Sequence, residues 1–322
     1  MMKYRKTAAL LAAALLGCAL LGGCGEDPAP TATEHTPVTT DATTSAPPVE
    51  LQTTVFEITE DFTSIRVEGG VSDIRLIPTP GSCTVGCTDI AGLEYHAQVE
   101  DGTLVIRETG STVETGAEIV VCLNRPDFET LEITTDGGNV DVTQDFNFSN
   151  VALRSASGEL GYRGQAEGEM SCVTDSGRIL VTGVQPGTMH LQSTGGQIVV
   201  QSAQVAQTMQ VETVSGNLVL SYVQCANGTV TSQSGEQTLE QLLASESLNI
   251  RSDSGAVTLT GCDGASVDIR TTGGTVTGTL QTEKTFTVTA ASGTVNVPDT
   301  TGGPCSITTD SGTVTLSIGG AA

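Results

Sequence analysis

Residues 174–181 read TDSGRILV, and close relatives of this octapeptide recur as TVSGNLVL at 213–220, SDSGAVTL at 252–259 and TDSGTVTL at 309–316. The glycine at its centre returns ten times, at intervals of 19 or 20 residues: Gly138, Gly158, Gly177, Gly196, Gly216, Gly235, Gly255, Gly274, Gly293 and Gly312. A period this regular is typical of stacked units, none of which can bury its apolar face alone. The sequence therefore predicts a repeat architecture.

The residues around each glycine, taken as position 0, alternate between apolar and polar. Positions −7, −5, +2 and +4 are apolar in 37 of 40 cases, and the intervening +1 position is mostly polar or small. Such alternation indicates strands with one face buried. We predict an all-β fold, a parallel β-helix (β-solenoid) of about ten 19–20-residue coils. At about 4.8 Å per coil it would be about 48 Å long, and right-handed coiling is the default expectation.

The inward positions have odd numbers before the glycine (−7, −5 and −3) and even numbers after it (+2 and +4). Because side chains of a straight strand alternate between its two faces, the strand must bend between −3 and +2. We assign the ten glycines to structural corners, because glycine tolerates a backbone with φ > 0 that would make such a bend sharp. A β-propeller fits this period less well, because each of its blades would need about forty residues and antiparallel hairpins.

Position −3 points inward and carries a hydroxyl in nine of the ten units: Thr135, Ser155, Thr174, Ser193, Thr213, Ser232, Ser252, Thr271 and Thr309. We predict a structural hydroxyl ladder that bonds corner backbone groups and its own neighbours. Because every unit has one and no base accompanies it, the pattern does not indicate a catalytic nucleophile.

The N-terminus has the features of an export signal. Lys3, Arg5 and Lys6 precede an apolar segment from Ala8 to Leu21, too short to span a bilayer comfortably. The segment ends in Leu21-Gly22-Gly23-Cys24, which resembles a bacterial lipoprotein signal and predicts cleavage between Gly23 and Cys24 with lipid attached to Cys24. Leu16-Gly17-Cys18 is a competing match to the same signal. Cleavage before Cys18 would leave the apolar residues 19–21 outside the leader. A plain secretory signal or an uncleaved anchor are the alternatives.

Composition divides the chain into four parts: a signal peptide at 1–23, a Pro/Thr-rich tether at 24–50, an N-terminal β-strand cap region at 51–128 and β-solenoid repeats at 129–322. In the cap region, period-2 runs predict strands near 54–58, 64–67, 73–77, 93–99, 103–107 and 117–121. Solenoids need atypical terminal units to cover the open end of the core.

The charge balance restricts the partners. Without the three leader cations, 10 basic residues face 37 acidic ones. This argues against nucleic acid and against a basic patch on an anionic membrane. Membrane contact is expected through the N-terminal lipid, and an envelope protein or glycan is the expected partner.

Cysteine, histidine and aspartate do not form a recognisable site. Cys83 and Cys87 are near enough to form a disulfide or to remain free, and the spacing lacks a second pair for a metal. The histidines His96 and His190 lack the partners of a hydrolase triad. The carboxylates that recur at position −2 are interpreted as solvated turn residues capable of weak divalent-cation binding: Asp136, Asp175, Asp253 and Asp310. We predict no catalytic residue, no cofactor and no dedicated metal site.

Two segments carry a family resemblance. Residues 101–106 (DGTLVI) and the strand from Ala117 to Ile133 resemble the bacterial "putative adhesin" family of unknown function, built from Gly-rich β-strand repeats. The proline of Asn124-Arg125-Pro126 comes later than is usual there. The resemblance covers about Val55 to Leu316. It implies an extracytoplasmic β-solenoid and carries over no catalytic residue.

Two functions follow as hypotheses. The first is a lipid-anchored protein of the bacterial cell envelope, on a Gram-positive surface, that acts without catalysis in adhesion, macromolecular binding or envelope sensing. The second is a polysaccharide-active lyase or hydrolase, since parallel β-helices also host such enzymes. That alternative needs carboxylates and cations gathered in one outer groove.

Overall fold

The computed structural model describes residues 52–319, and every regular element within them is a β-strand. The strands of the N-terminal region are β1 Thr53–Ile58, β2 Ser64–Glu68, β3 Asp73–Pro78, β4 Cys83–Thr88, β5 Leu93–Glu100, β6 Thr103–Gly110 and β7 Glu118–Leu123. Those of the repeats are β8 Asp127–Thr135, β9 Val140–Val142, β10 Asn147–Ser155, β11 Leu160–Tyr162, β12 Gln165–Ala166, β13 Glu169–Thr174, β14 Ile179–Thr182, β15 Thr188–Ser193, β16 Ile198–Gln204, β17 Thr208–Thr213, β18 Leu218–Ser232, β19 Gln237–Ser252, β20 Val257–Thr271, β21 Val276–Leu280, β22 Lys284–Ala290, β23 Thr294–Asn296, β24 Gly303–Thr309 and β25 Thr313–Ile318.

The repeat strands stack in parallel and in register. Leu153 at position −5 lies between Ile133 of the coil below and Cys172 of the coil above, and all three are fully buried. The same holds along the inward columns, whose aliphatic residues fill the interior. The predicted all-β solenoid is thereby confirmed, with about nine turns from the first corner to the last. Its handedness stays a prediction.

The reason we gave for the corner glycines is wrong, because none of the ten has φ > 0. They are required by close stacking instead. A Cβ on Gly158 would collide with the carbonyl oxygen of Gly138, and one on Gly177 with the carbonyl oxygen of Gly158, far inside the 3.0 Å that real Cβ atoms keep. Each corner therefore rests its glycine directly on the peptide group of the coil below. This set of contacts, the glycine stack, begins on Ser72, which lies under Gly138.

The left-handed backbone occurs at a second bend, six residues after several of the glycines. In these coils φ is 71° at Gly183, 57° at Ser202, 57° at Tyr222, 51° at Gln241 and 59° at Gly261. Only two of the five are glycines, so this bend has no residue signature in the sequence. The strained conformation is held in place by the ladders on either side.

The nine inward hydroxyls are buried, and each bonds the corner glycine three residues further along its own coil. Thr174 Oγ1 accepts a hydrogen bond from the Gly177 N–H at 2.9 Å, as Thr213 does from Gly216, whereas Ser232 donates to the carbonyl oxygen of Gly235. These bonds satisfy backbone groups that the bend removes from the ladder. Among residues 52–319, no hydroxyl of this column bonds its counterpart in the next coil.

The last two coils stack out of sequence order. β24 pairs with β20, and β22 pairs with the other side of β24; likewise β25 lies between β21 and β23. The glycine stack follows the same order, with Gly312 on Gly274 and Gly293 on Gly312. The C-terminal coil is therefore inserted between two coils that precede it in the chain.

A buried lysine spans the inserted coil. Lys284 Nζ donates to the Gly264 carbonyl oxygen at 2.7 Å and contacts Asp263 Oδ1 at 2.5 Å, so it joins β22 to β20 across the layer of β24. Gly303 lies in that layer beside Lys284, where a Cβ would come within 2.7 Å of the Ala265 carbonyl oxygen. Partial burial acts to raise the pKa of Asp263, but hydrogen bonds from Lys284 and Thr282 outweigh it and keep that pKa below its ordinary value.

The N-terminal region also contributes layers to the solenoid. β2 lies in parallel between β6 and β8, and β3 between β7 and β9. Beyond them β1, β4 and β5 add antiparallel strands, of which β4 has no counterpart among the predicted runs. β5 and β6 form an antiparallel hairpin that turns at Asp101-Gly102, where φ is 48° and 75°.

The glycine stack is tested by two adjacent substitutions in one corner. Gly196→Ala forces a Cβ onto the peptide of Gly177, whereas Gly195→Ala places one in open space, 3.8 Å from its nearest neighbours. We expect Gly196→Ala to lower the free energy of unfolding by about 2 kcal/mol or more, measured by urea unfolding. Gly195→Ala should be neutral or slightly stabilising. Equal effects of the two would contradict the stacking explanation.

Candidate functional site

A shallow outer groove of about 470 Å³ lies where β2, β6 and β8 run side by side. Its lining comprises Arg66, Val67, Glu68, Gly69, Glu108, Glu132 and Thr134. These residues come from three distant segments, and only the insertion of β2 between β6 and β8 brings them together. No local sequence pattern marks this groove, because strands that are neighbours here are not neighbours in the chain.

The groove's charges are paired with one another. Arg66 Nε contacts Glu132 Oε2 at 2.8 Å, and Arg107 contacts Glu68 at 3.1 Å and Glu100 at 2.8 Å. The hydrogen bond from Arg107 lowers the pKa of Glu100 to about 2. These side chains are about half exposed, so each pair adds little stability. Their effect is to orient carboxylates along the outer face.

Glu108 is engaged differently. Its carboxylate accepts hydrogen bonds from the backbone N–H groups of Gly70 at 3.0 Å, Val71 at 3.1 Å and Ser72 at 3.3 Å. Successive N–H groups of this kind form a nest that suits an anion, and here the chain's own carboxylate fills it. Glu108 thus fixes the loop on which the glycine stack begins. Both of its carboxylate oxygens are engaged by the chain's own backbone.

The other candidate residues are dispersed. Asp136, Asp175, Asp253 and Asp310 are exposed at their corners in separate coils, and His96 on β5 is far along the chain and the fold from His190 on β15. Within residues 52–319, no three His, Cys, Asp or Glu side chains are grouped closely enough to hold a metal ion.

The seven cysteines in the described part of the chain are free thiols. Cys83 and Cys87 both lie buried on β4, and only Cys122 is partly exposed. Burial raises the pKa of Cys172 to about 12 and that of Cys225 to about 11. The sulfurs of Cys172 and Cys225 therefore stay protonated at neutral pH, and a protonated thiol is a poor nucleophile. They fill core positions as small apolar side chains do.

The predicted cleavage and lipidation residues, Gly23 and Cys24, lie outside the described residues. Within residues 52–319, the structure contains no helix long and apolar enough to cross a membrane.

Comparison with known proteins agrees with this architecture. The fold is similar to a "putative adhesin" from Parabacteroides distasonis, at 18% identity and a TM-score of 0.52 over 71% of this chain and 97% of that one. It is also similar to a "putative adhesin" from Parabacteroides merdae, at 15% identity and a TM-score of 0.51 over 72% of this chain and 97% of that one. At such identities the likeness shows the fold alone, and no curated protein matches the sequence.

A family model provides the assignment. The model described as Toastrack DUF4097 matches residues 97–241 and 205–322, well over half of the chain. These matches take in the hairpin, the groove strand β8 and all ten corners. The chain therefore belongs to the Toastrack DUF4097 family.

Proposed function

We propose that this protein is a lipid-anchored, extracytoplasmic component of the bacterial cell envelope that binds other macromolecules without catalysis, in adhesion or envelope sensing. The observation that carries the proposal is the filled interior. The inward columns are aliphatic and buried from one coil to the next, so partners have to be met on the outer faces. The names of the structurally similar adhesins agree with such a role.

The outer faces suit extended partners. Position +3 places Thr238, Thr258, Thr277 and Thr315 in consecutive layers of one sheet, each exposed and each paired in register with the next. Their hydroxyls recur at the strand spacing of about 4.8 Å, and each can donate and accept a hydrogen bond. A flat face of this kind offers repeated contacts to a glycan or to the surface of another protein.

The anchor is tested at its cysteine. In cells fed an alkyne-labelled fatty acid, we expect the wild-type protein to be labelled and Cys24→Ser to lose the label and the membrane association. Cys18→Ser is the matched control and should keep both. If the label survives Cys24→Ser but is lost in Cys18→Ser, the lipid is attached to Cys18 instead. An unmodified Cys24 in the mature wild-type protein would refute lipidation at Cys24.

A polysaccharide-active enzyme remains the second candidate because the groove does gather Glu68, Glu108 and Glu132 beside Arg66. Since these carboxylates are paired or fill a backbone nest, we expect no new reducing ends or unsaturated products from pectin, alginate, hyaluronan or peptidoglycan. We also expect sedimentation of the protein with insoluble cell-wall material, unchanged by Glu132→Gln. Product formation that is abolished by Glu132→Gln would instead establish the enzyme.

A further inference from the structure

The final layer of the solenoid is paired on one side only. Within the described residues, β22 pairs with β24 and β23 pairs with β25, and neither has a partner on its other side. We call residues 284–297 the edge coil. At the opposite end, β1, β4 and β5 cover the parallel layers with antiparallel strands. The two ends of the solenoid are therefore finished differently.

The edge coil leaves part of the core open. Val288 is 43% exposed, whereas the position −5 residues of the other nine coils are at most 1% exposed. Phe286 and Val295 are only partly buried in columns that are closed elsewhere. The hydroxyl column is also interrupted here, since Ala290 takes the place of Ser or Thr. An apolar surface of this kind, rimmed by unpaired backbone groups, marks a site of association.

Beyond the buried Lys284 at its start, the edge coil carries no charged side chain. No residue from Thr285 to Val297 is charged, and its outward side chains on β22 are Thr285, Thr287 and Thr289. At the opposite end, the edge strand β5 bears Glu94, His96 and Glu100. Natural sheets block unwanted pairing with charged residues. Their absence from this one edge indicates that the edge is meant to pair.

We propose that the edge coil pairs with the edge coil of a second copy of this chain, joining two solenoids end to end. A two-fold axis across β22 sets this strand antiparallel to its own copy, which forms a hydrogen-bonded ladder and a self-complementary interface. The exposed faces of Phe286, Val288 and Val295 then meet their counterparts and close both cores.

Charge favours a second copy as the occupant. The chain carries a net charge of −24, so most of its surface repels another copy. The edge coil exposes no charged side chain, because its one cation, Lys284, is buried against Asp263. Two copies therefore approach there with less repulsion than at the other surfaces.

The test is the mass in solution of residues 25–322, by ultracentrifugation from 1 to 100 μM. We expect a concentration-dependent dimer that Val288→Lys makes at least tenfold weaker. Val55→Lys is the matched control, because Val55 is 45% exposed on β1 at the covered end and should leave the dimer intact. Thermal unfolding of each variant checks that the fold is retained.

A second readout does not depend on weakening the interface. Thr285→Cys, Thr287→Cys and Thr289→Cys are each oxidised mildly, and at least one should give a disulfide-linked dimer. Val55→Cys on β1, which lies opposite Gly86, should not. A monomer at all concentrations, or a dimer unaffected by Val288→Lys, would overturn the proposal. A monomer that becomes a dimer only when residues 25–52 are removed would also overturn it and assign the edge to the tether.

Discussion

The contact of one corner glycine with the peptide group of the next is the constraint on which the rest of the structure depends. Adjacent coils approach so closely at the bend that a Cβ on Gly196 would overlap the carbonyl oxygen of Gly177, and one on Gly216 that of Gly196. Only glycine therefore fits at this position. The hydroxyl three residues earlier then supplies the bond that the bent backbone cannot find in the ladder. Each repeat therefore needs both residues, and the octapeptide keeps them three apart.

The sequence predicts the coil well and its assembly less well. Apolar columns and a constant period identify the solenoid, because each inward residue is buried by its own counterparts. The order of stacking is a different matter, because nothing local marks the insertion of β24 or β2. Lys284 reads as an ordinary surface cation, yet across the inserted β24 layer it is buried against Asp263. The second bend is equally hidden, since Ser202, Tyr222 and Gln241 share a conformation and no chemistry. The groove depends on that stacking order and was missed with it.

The same features bear on function. A core closed by aliphatic side chains leaves the outer faces and the two ends as the surfaces that can meet a partner. The N-terminal end is covered by antiparallel strands, whereas the edge coil exposes apolar side chains such as Val288 and no charged one. Among the groove carboxylates, Glu108 joins β6 to the loop before β3 by filling the nest of Gly70 to Ser72. These are the surfaces on which the proposed binding role depends.

The stacking order is tested most directly by paired cysteines on outward positions. Arg270 and Thr308 lie in adjacent layers, and Thr289 lies one layer beyond Thr308. Neighbouring strands are about 4.8 Å apart, within reach of a disulfide, and second neighbours at about 9.6 Å are not. Arg270→Cys should therefore cross-link readily with Thr308→Cys and fail to do so with Thr289→Cys. Efficient cross-linking of 270 with 289 instead would show that the coils stack in sequence order and contradict this structure.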